Sequence, residues 1–187
     1  MLVTLTHIIP SLRGSLSNPL SRDVWPEFTA TSVDDVTVAG VSLTRLAGWC
    51  GTPCVHSAAA VVPGTGGMPS STETASAVVT RVVEVTRSAD GSLDAWIDAR
   101  LSAVPAFVSE LRMIGRVSTA PDAPARIHAA GPAAPPYPVT ELVSDLRVGD
   151  LLTLPCPGTV VLREIDPRRH PLPEAAAAVW APTACGR

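Results

Sequence analysis

The chain of 187 residues is long enough for one domain with a sizeable core. It is 46% hydrophobic and 17% charged, with a net charge of -3, and all 14 of its basic residues are arginine. Without lysine it can form no Schiff base through its own side chains, and it has no P-loop lysine. The mild acidic balance, with no basic cluster, argues against nucleic acid as a partner.

In chain order, Arg22 to Thr31 is polar and turn-rich around Trp25-Pro26. Val36 to Val41 alternates and reads as a strand with a Gly40 turn. Residues 42–49 place apolar side chains at Leu43, Leu46 and Trp49, which suits a short helix capped by Ser42 or Thr44. Gly51-Thr52-Pro53 breaks it, and Cys54-Val55-His56 starts another extended stretch. Residues 63–74 are small, polar and glycine-rich, the composition of a flexible linker. Ala77 to Thr86 is rich in β-branched residues and ends at Ser88-Ala89-Asp90-Gly91, a hairpin signal, with Leu93 to Ala99 returning.

Ala125–Ala130, Leu151–Leu154 and Thr159–Leu162 are further short strand candidates, with a turn at Leu146–Asp150. The proline-rich run from Pro132 to Pro138 is a loop or an edge, because proline donates nothing to a ladder. Short strands joined by Gly and Pro turns predict an all-β, Greek-key-like barrel or sandwich with one or two short helices. In that single domain residues 1–62 give N-terminal strands and a helix, 63–74 the linker, and 75–187 the main barrel.

Cys50, Cys54, Cys156 and Cys185 are expected as free thiols. Cys50-x-x-x-Cys54 with His56 has nearly a metal-ligand spacing, but structural zinc sites bring a second ligand pair, so no metal is expected. No run approaches the ~20 apolar residues of a membrane span. The opening Met1–Ile9 lacks the flanks of a signal peptide, and a cytoplasmic location is expected.

Ile9-Pro10-Ser11-Leu12-Arg13, Trp25-Pro26, the run from Val38 to Thr44 and Gly51-Thr52-Pro53 resemble the N-terminus of diaminopimelate decarboxylases. Ala77 to Val83 with Ile97-Asp98-Ala99, then Ala130-Gly131-Pro132, Asp145 to Leu152, Gly158 and His170 to Glu174, are similar in order to that family's C-terminal β domain. The family joins that domain to a PLP-binding (β/α)8 barrel. Such a barrel takes about 250 residues, more than this whole chain contains. The resemblance implies a degenerate homologue keeping the N-terminal segment and the β domain. It also puts Ala134 where the family has a cysteine, Pro138 where it has an acid and Val160 where it has a tyrosine, so the family's chemistry is not implied.

Asp98 and Arg100 share a face at one strand end and are candidate substrate-binding residues, with an ordinary ion pair as the competing reading. His128, Tyr137 and Glu141, near the inherited loop, form a candidate acid/base set. Two functions follow. One is a PLP-independent, cofactor-free, decarboxylase-like module that binds a small molecule or a decarboxylase-like protein partner and forms a homodimer. The other is a small β-barrel enzyme, a cyclase, isomerase or lyase, that acts without PLP.

Overall fold

The computed structural model describes residues 19–102, 104–130 and 136–169. The motif readings on residues 9–13, Ala134, residues 170–174 and Cys185 lie outside the described residues. The architecture is all-β. Strands β1 (Ala30–Thr31), β2 (Val36–Val38) and β3 (Val41–Ser42) form a small antiparallel sheet. Ala39 and Gly40 close the β2–β3 turn, both at positive φ.

Helix α1 (Leu43–Cys50) follows, capped by Ser42, whose hydroxyl accepts from the Arg45 N–H at 3.1 Å. Its buried residues are Leu43 and Ala47, with Leu46 partly covered. Trp49, which the apolar spacing put on that face, is 72% exposed and carries the Arg45 guanidinium 5.1 Å above its ring.

The main sheet has seven strands: β4 (Cys54–Val61), β5 (Pro69–Arg87), β6 (Leu93–Ile97), β7 (Arg112–Ile114), β8 (Asp122–His128), β9 (Thr140–Val143) and β10 (Leu151–Pro157). Their order is β7-β10-β5-β6-β8-β9, with β4 also on β5, and β9 comes back against β7 to nearly close a barrel. All pairings are antiparallel except β6 with β8.

Two sequence readings change here. The linker expected at 63–74 shrinks to a hairpin loop, because Pro69 pairs with Val61 and residues 69–74 belong to β5. That loop is held by the Val62 N–H donating to Met68 O at 2.8 Å and by Arg22 donating to Gly66 O at 3.2 Å. The strand expected at Thr159–Leu162 is absent. Helix α2 (Leu162–Ile165) takes its place, with the Glu164 carboxylate reaching back to accept from the Val161 N–H at 2.9 Å.

Strand β5 organises the molecule. Residues Ala75 to Thr80 are buried without interruption, which a half-solvated strand would not show. One face of this stretch, with Val78, packs into the barrel interior alongside Leu152, Leu154 and Cys156. The other face, with Ala77 and Val79, packs under Trp25, Val36, Val38, Leu43 and Cys54. Beyond Arg81 the strand leaves β4 and β10 and pairs with β6, through a register shift between Val82 and Glu84.

Asp98 sits at that crossing. Its Oδ1 accepts from the Thr80 hydroxyl at 2.7 Å and the Arg81 N–H at 2.9 Å, and its Oδ2 accepts from the Thr52 hydroxyl at 2.6 Å. The carboxylate therefore ties β5, β6 and the turn before β4 together. Removing it leaves partly buried donors without an acceptor, at about 2–4 kcal/mol. Asp98→Ala is expected to lower the melting temperature by about 5–15 °C in a thermal unfolding scan by circular dichroism. An unchanged melting temperature would contradict the structural role.

Candidate functional site

On the sheet half formed by β5, β6, β8 and β9, alternation sends one set of side chains into the barrel and the other outward. Leu93, Ala95 and Ile97 of β6 and Ala125 and Ile127 of β8 are core residues. Asp94 and Trp96 of β6, and Arg126 and His128 of β8, take the outer face. Parallel pairing aligns Trp96 with His128, and their rings stack at 4.4 Å between centroids with planes 12° apart. His128 Nε2 lies 2.8 Å from Asp94 Oδ1, and Arg126 reaches the other Asp94 oxygen at 3.4 Å. Both His128 and Asp94 keep about a fifth of their side-chain surface exposed.

A groove of about 320 Å³ opens beside this stack, lined by Val83, Trp96, Ile97, Ala129, Ala130 and Pro167, with Asp98 and Arg168 as its polar members. Val83, unpaired at the register shift in β5, is 50% exposed and forms one apolar wall. Arg168 is positioned by the turn after α2. Its Nε donates to Asp166 Oδ1 at 2.9 Å, and its Nη2 donates to Asp166 Oδ2 at 3.2 Å and to the Thr52 carbonyl at 2.9 Å. The hydrogen bond from Arg168 holds the Asp166 carboxyl below the usual carboxylate range, and the same contact raises the guanidinium's pKa. Arg169 adds a second bond to Asp166 at 3.3 Å.

The residues expected from sequence are distributed around the barrel rather than gathered. Asp98 does line the groove, but its carboxylate accepts from Thr52, Thr80 and the Arg81 backbone and makes no ion pair with Arg100 among the described residues. Arg100 contributes its backbone N–H to Ile165 O at 2.8 Å. Tyr137 packs against the barrel interior, on the other side of β8 from the Trp96 stack, and burial raises its phenol pKa.

Glu141 is exposed on β9 opposite Pro124, four residues before His128, which puts it about 13 Å away along the sheet. His128, Tyr137 and Glu141 therefore do not form one acid/base set. The partner that His128 does have, Asp94, went unnoticed in the sequence. Alternation puts both side chains on outward positions, but only the parallel pairing of β6 with β8 brings them together.

Cys54 and His56 share a face of β4, as their spacing implies, yet Cys54 is buried with its thiol pushed up to about 11 by desolvation. Burial pushes the Cys156 thiol to about 12. Among the described residues no group of three Cys, His, Asp or Glu side chains is placed to hold a metal. Glu110 and Arg112 are largely covered. Glu110 accepts from the Trp25 indole N–H at 3.1 Å. No helix of the described residues is long and apolar enough to cross a membrane.

No protein-family model matches the chain, and no curated protein matches it. Solved structures are similar to part of it, two of them from one viral enzyme. One is the arginine decarboxylase of Paramecium bursaria Chlorella virus bound to agmatine, at 15% identity and a TM-score of 0.37. The other is a further structure of that viral enzyme, at 16% and 0.36. Each match covers 49% of this chain and 28% of the other, so this chain spans less than a third of the viral enzyme. A likeness this distant settles neither fold nor activity.

Two outcomes test the electrostatics. Because Asp166 titrates lower folded than its unfolded value of about 3.9, its contribution is present above that pH and is lost as pH falls through the folded value. Asp166→Asn should lower the melting temperature by a few degrees at pH 7, with the gap to wild type closing below about pH 4. A pH-independent gap would contradict this assignment. Native alkylation with iodoacetamide at pH 8, read by peptide mass spectrometry, should modify exposed Cys50 and leave Cys54 and Cys156 free until the protein is unfolded.

Proposed function

We propose that this protein is a non-catalytic small-molecule-binding module whose ligand occupies the groove between Trp96, Val83 and Pro167. The observation that carries this reading is the groove itself: an apolar slot of about 320 Å³ with a tryptophan ring in its wall and two polar groups, Asp98 and Arg168. The dispersal of the acid/base set supports binding over catalysis. His128 has a carboxylate partner, but Tyr137 and Glu141 stand elsewhere, so no second proton-transfer group joins it from that set.

The ordered segments shared with diaminopimelate decarboxylases support descent from a β domain of that kind. Descent alone fixes no function. The absence of lysine from the chain is consistent with a role that leaves PLP chemistry aside.

The ligand expected here is flat and largely apolar, with about the bulk of two fused rings. Titration with 2-naphthol should be saturable and should perturb Trp96, followed as the indole NH resonance assigned by comparison with Trp96→Phe. Val83→Arg, which puts a charged side chain on an exposed wall position, should weaken binding about tenfold without changing the melting temperature. Non-saturable binding, or the same affinity in Val83→Arg, would sink the proposal.

A further inference from the structure

Asp98 and Arg168 face the same groove with opposite charges, yet they make no hydrogen bond or ion pair with each other. Each is also only partly used. Asp98 Oδ1 accepts two hydrogen bonds, while Oδ2 accepts one, from Thr52, and has capacity for a second. Arg168 commits Nε and Nη2 to Asp166 and Thr52, while Nη1 carries two N–H donors without a partner among the described residues. The groove lining therefore includes a carboxylate with a spare acceptor site and a guanidinium with spare donors, beside an apolar body.

From this we infer, building on the binding reading above, that the ligand is a neutral planar compound with adjacent donor and acceptor atoms, a lactam or cis-amide edge. Its N–H donates to Asp98 Oδ2 and its carbonyl accepts from Arg168 Nη1, while the ring lies along Trp96 and Val83. Charge balance selects neutrality. Arg168 is already neutralised by Asp166, and Asp98 is already stabilised by three donors. The slot thus presents both signs of charge, so an anionic ligand would meet the Asp98 carboxylate and a cationic one the Arg168 guanidinium. Either would also lose hydration in an apolar slot. A neutral amide edge satisfies both groups and buries no net charge.

The test compares four bicyclic probes of similar size on the wild-type protein by ligand-observed NMR: 2-quinolone, N-methyl-2-quinolone, 2-naphthoate and 2-naphthylmethylammonium. The lactam 2-quinolone should bind at least about tenfold tighter than each of the others, the N-methyl compound losing the hydrogen bond to a charged acceptor. Arg168→Met should cost 2-quinolone about tenfold, a larger loss than it causes for 2-naphthol. The wild-type comparison stands even if that variant loosens the turn. Tighter binding of the naphthoate or the ammonium would overturn the neutral-amide assignment and leave the binding groove in place. Equal binding of all four would show an apolar slot that reads no amide edge, and would overturn the assignment too. No binding of any probe, 2-naphthol included, would overturn the groove as a ligand site.

Discussion

One strand cannot serve two halves of a sheet unless something holds it where it changes partners. In this protein β5 changes partners between Arg81 and Glu84, leaving β4 and β10 for β6. A single carboxylate, Asp98, is anchored at that point by donors from β5 and from the turn ahead of β4. A second acid, the buried Asp150, works nearby. Asp150 is clasped by Arg116 at 2.8 and 2.7 Å and accepts from the Arg147 N–H, while the Val82 N–H donates to the Asp150 carbonyl. The bend in β5 is thus set by two aspartates and their donors, which fix geometry where apolar packing alone has no directional preference.

The groove lies at that crossing. Val83, the residue left without a partner between Val82 and Glu84, borders it together with Trp96, Pro167 and Arg168. Thr52 joins both features. Its hydroxyl donates to Asp98 and its carbonyl accepts from Arg168, so one residue of the N-terminal part fixes the two polar groups at the groove. The small N-terminal sheet and helix are therefore more than a cover over β5. Through Thr52 they set the spacing between the groove's acceptor and its donor.

Much of the fold was legible because β-branched runs and alternation report directly on strands. β2, α1, the β5–β6 hairpin, β8 and β10 all stand where the pattern placed them. The failures have physical causes. Thr159-Val160-Val161-Leu162 is a short apolar run, and such runs do not distinguish strand from helix; the deciding contact was the return of Glu164 to the Val161 N–H. Residues 69–74 look like a linker because they are small and polar, but on an exposed ribbon small polar residues pair as well as any. The site was less legible. Asp98 was singled out from its position at a strand end, yet its partners come from residues 46 and 18 positions away. The Trp96–His128–Asp94 cluster depends on a parallel pairing that no local pattern announces.

The double burial of β5 also bears on how the chain reaches its folded state. β4, β5 and β6 are joined by tight local turns, while β10 follows β5 by more than sixty residues. A nascent β4–β5–β6 meander would therefore bare the Ala75–Val82 stretch on the side that β10 later covers, a β-branched apolar run of the kind that pairs with copies of itself. Thr80 and Arg81 interrupt that run, and both are drawn into the Asp98 and Thr52 contacts once folding is complete. The residues that lock the crossing in the finished protein are thus the same ones that break up this apolar run while the chain is still incomplete.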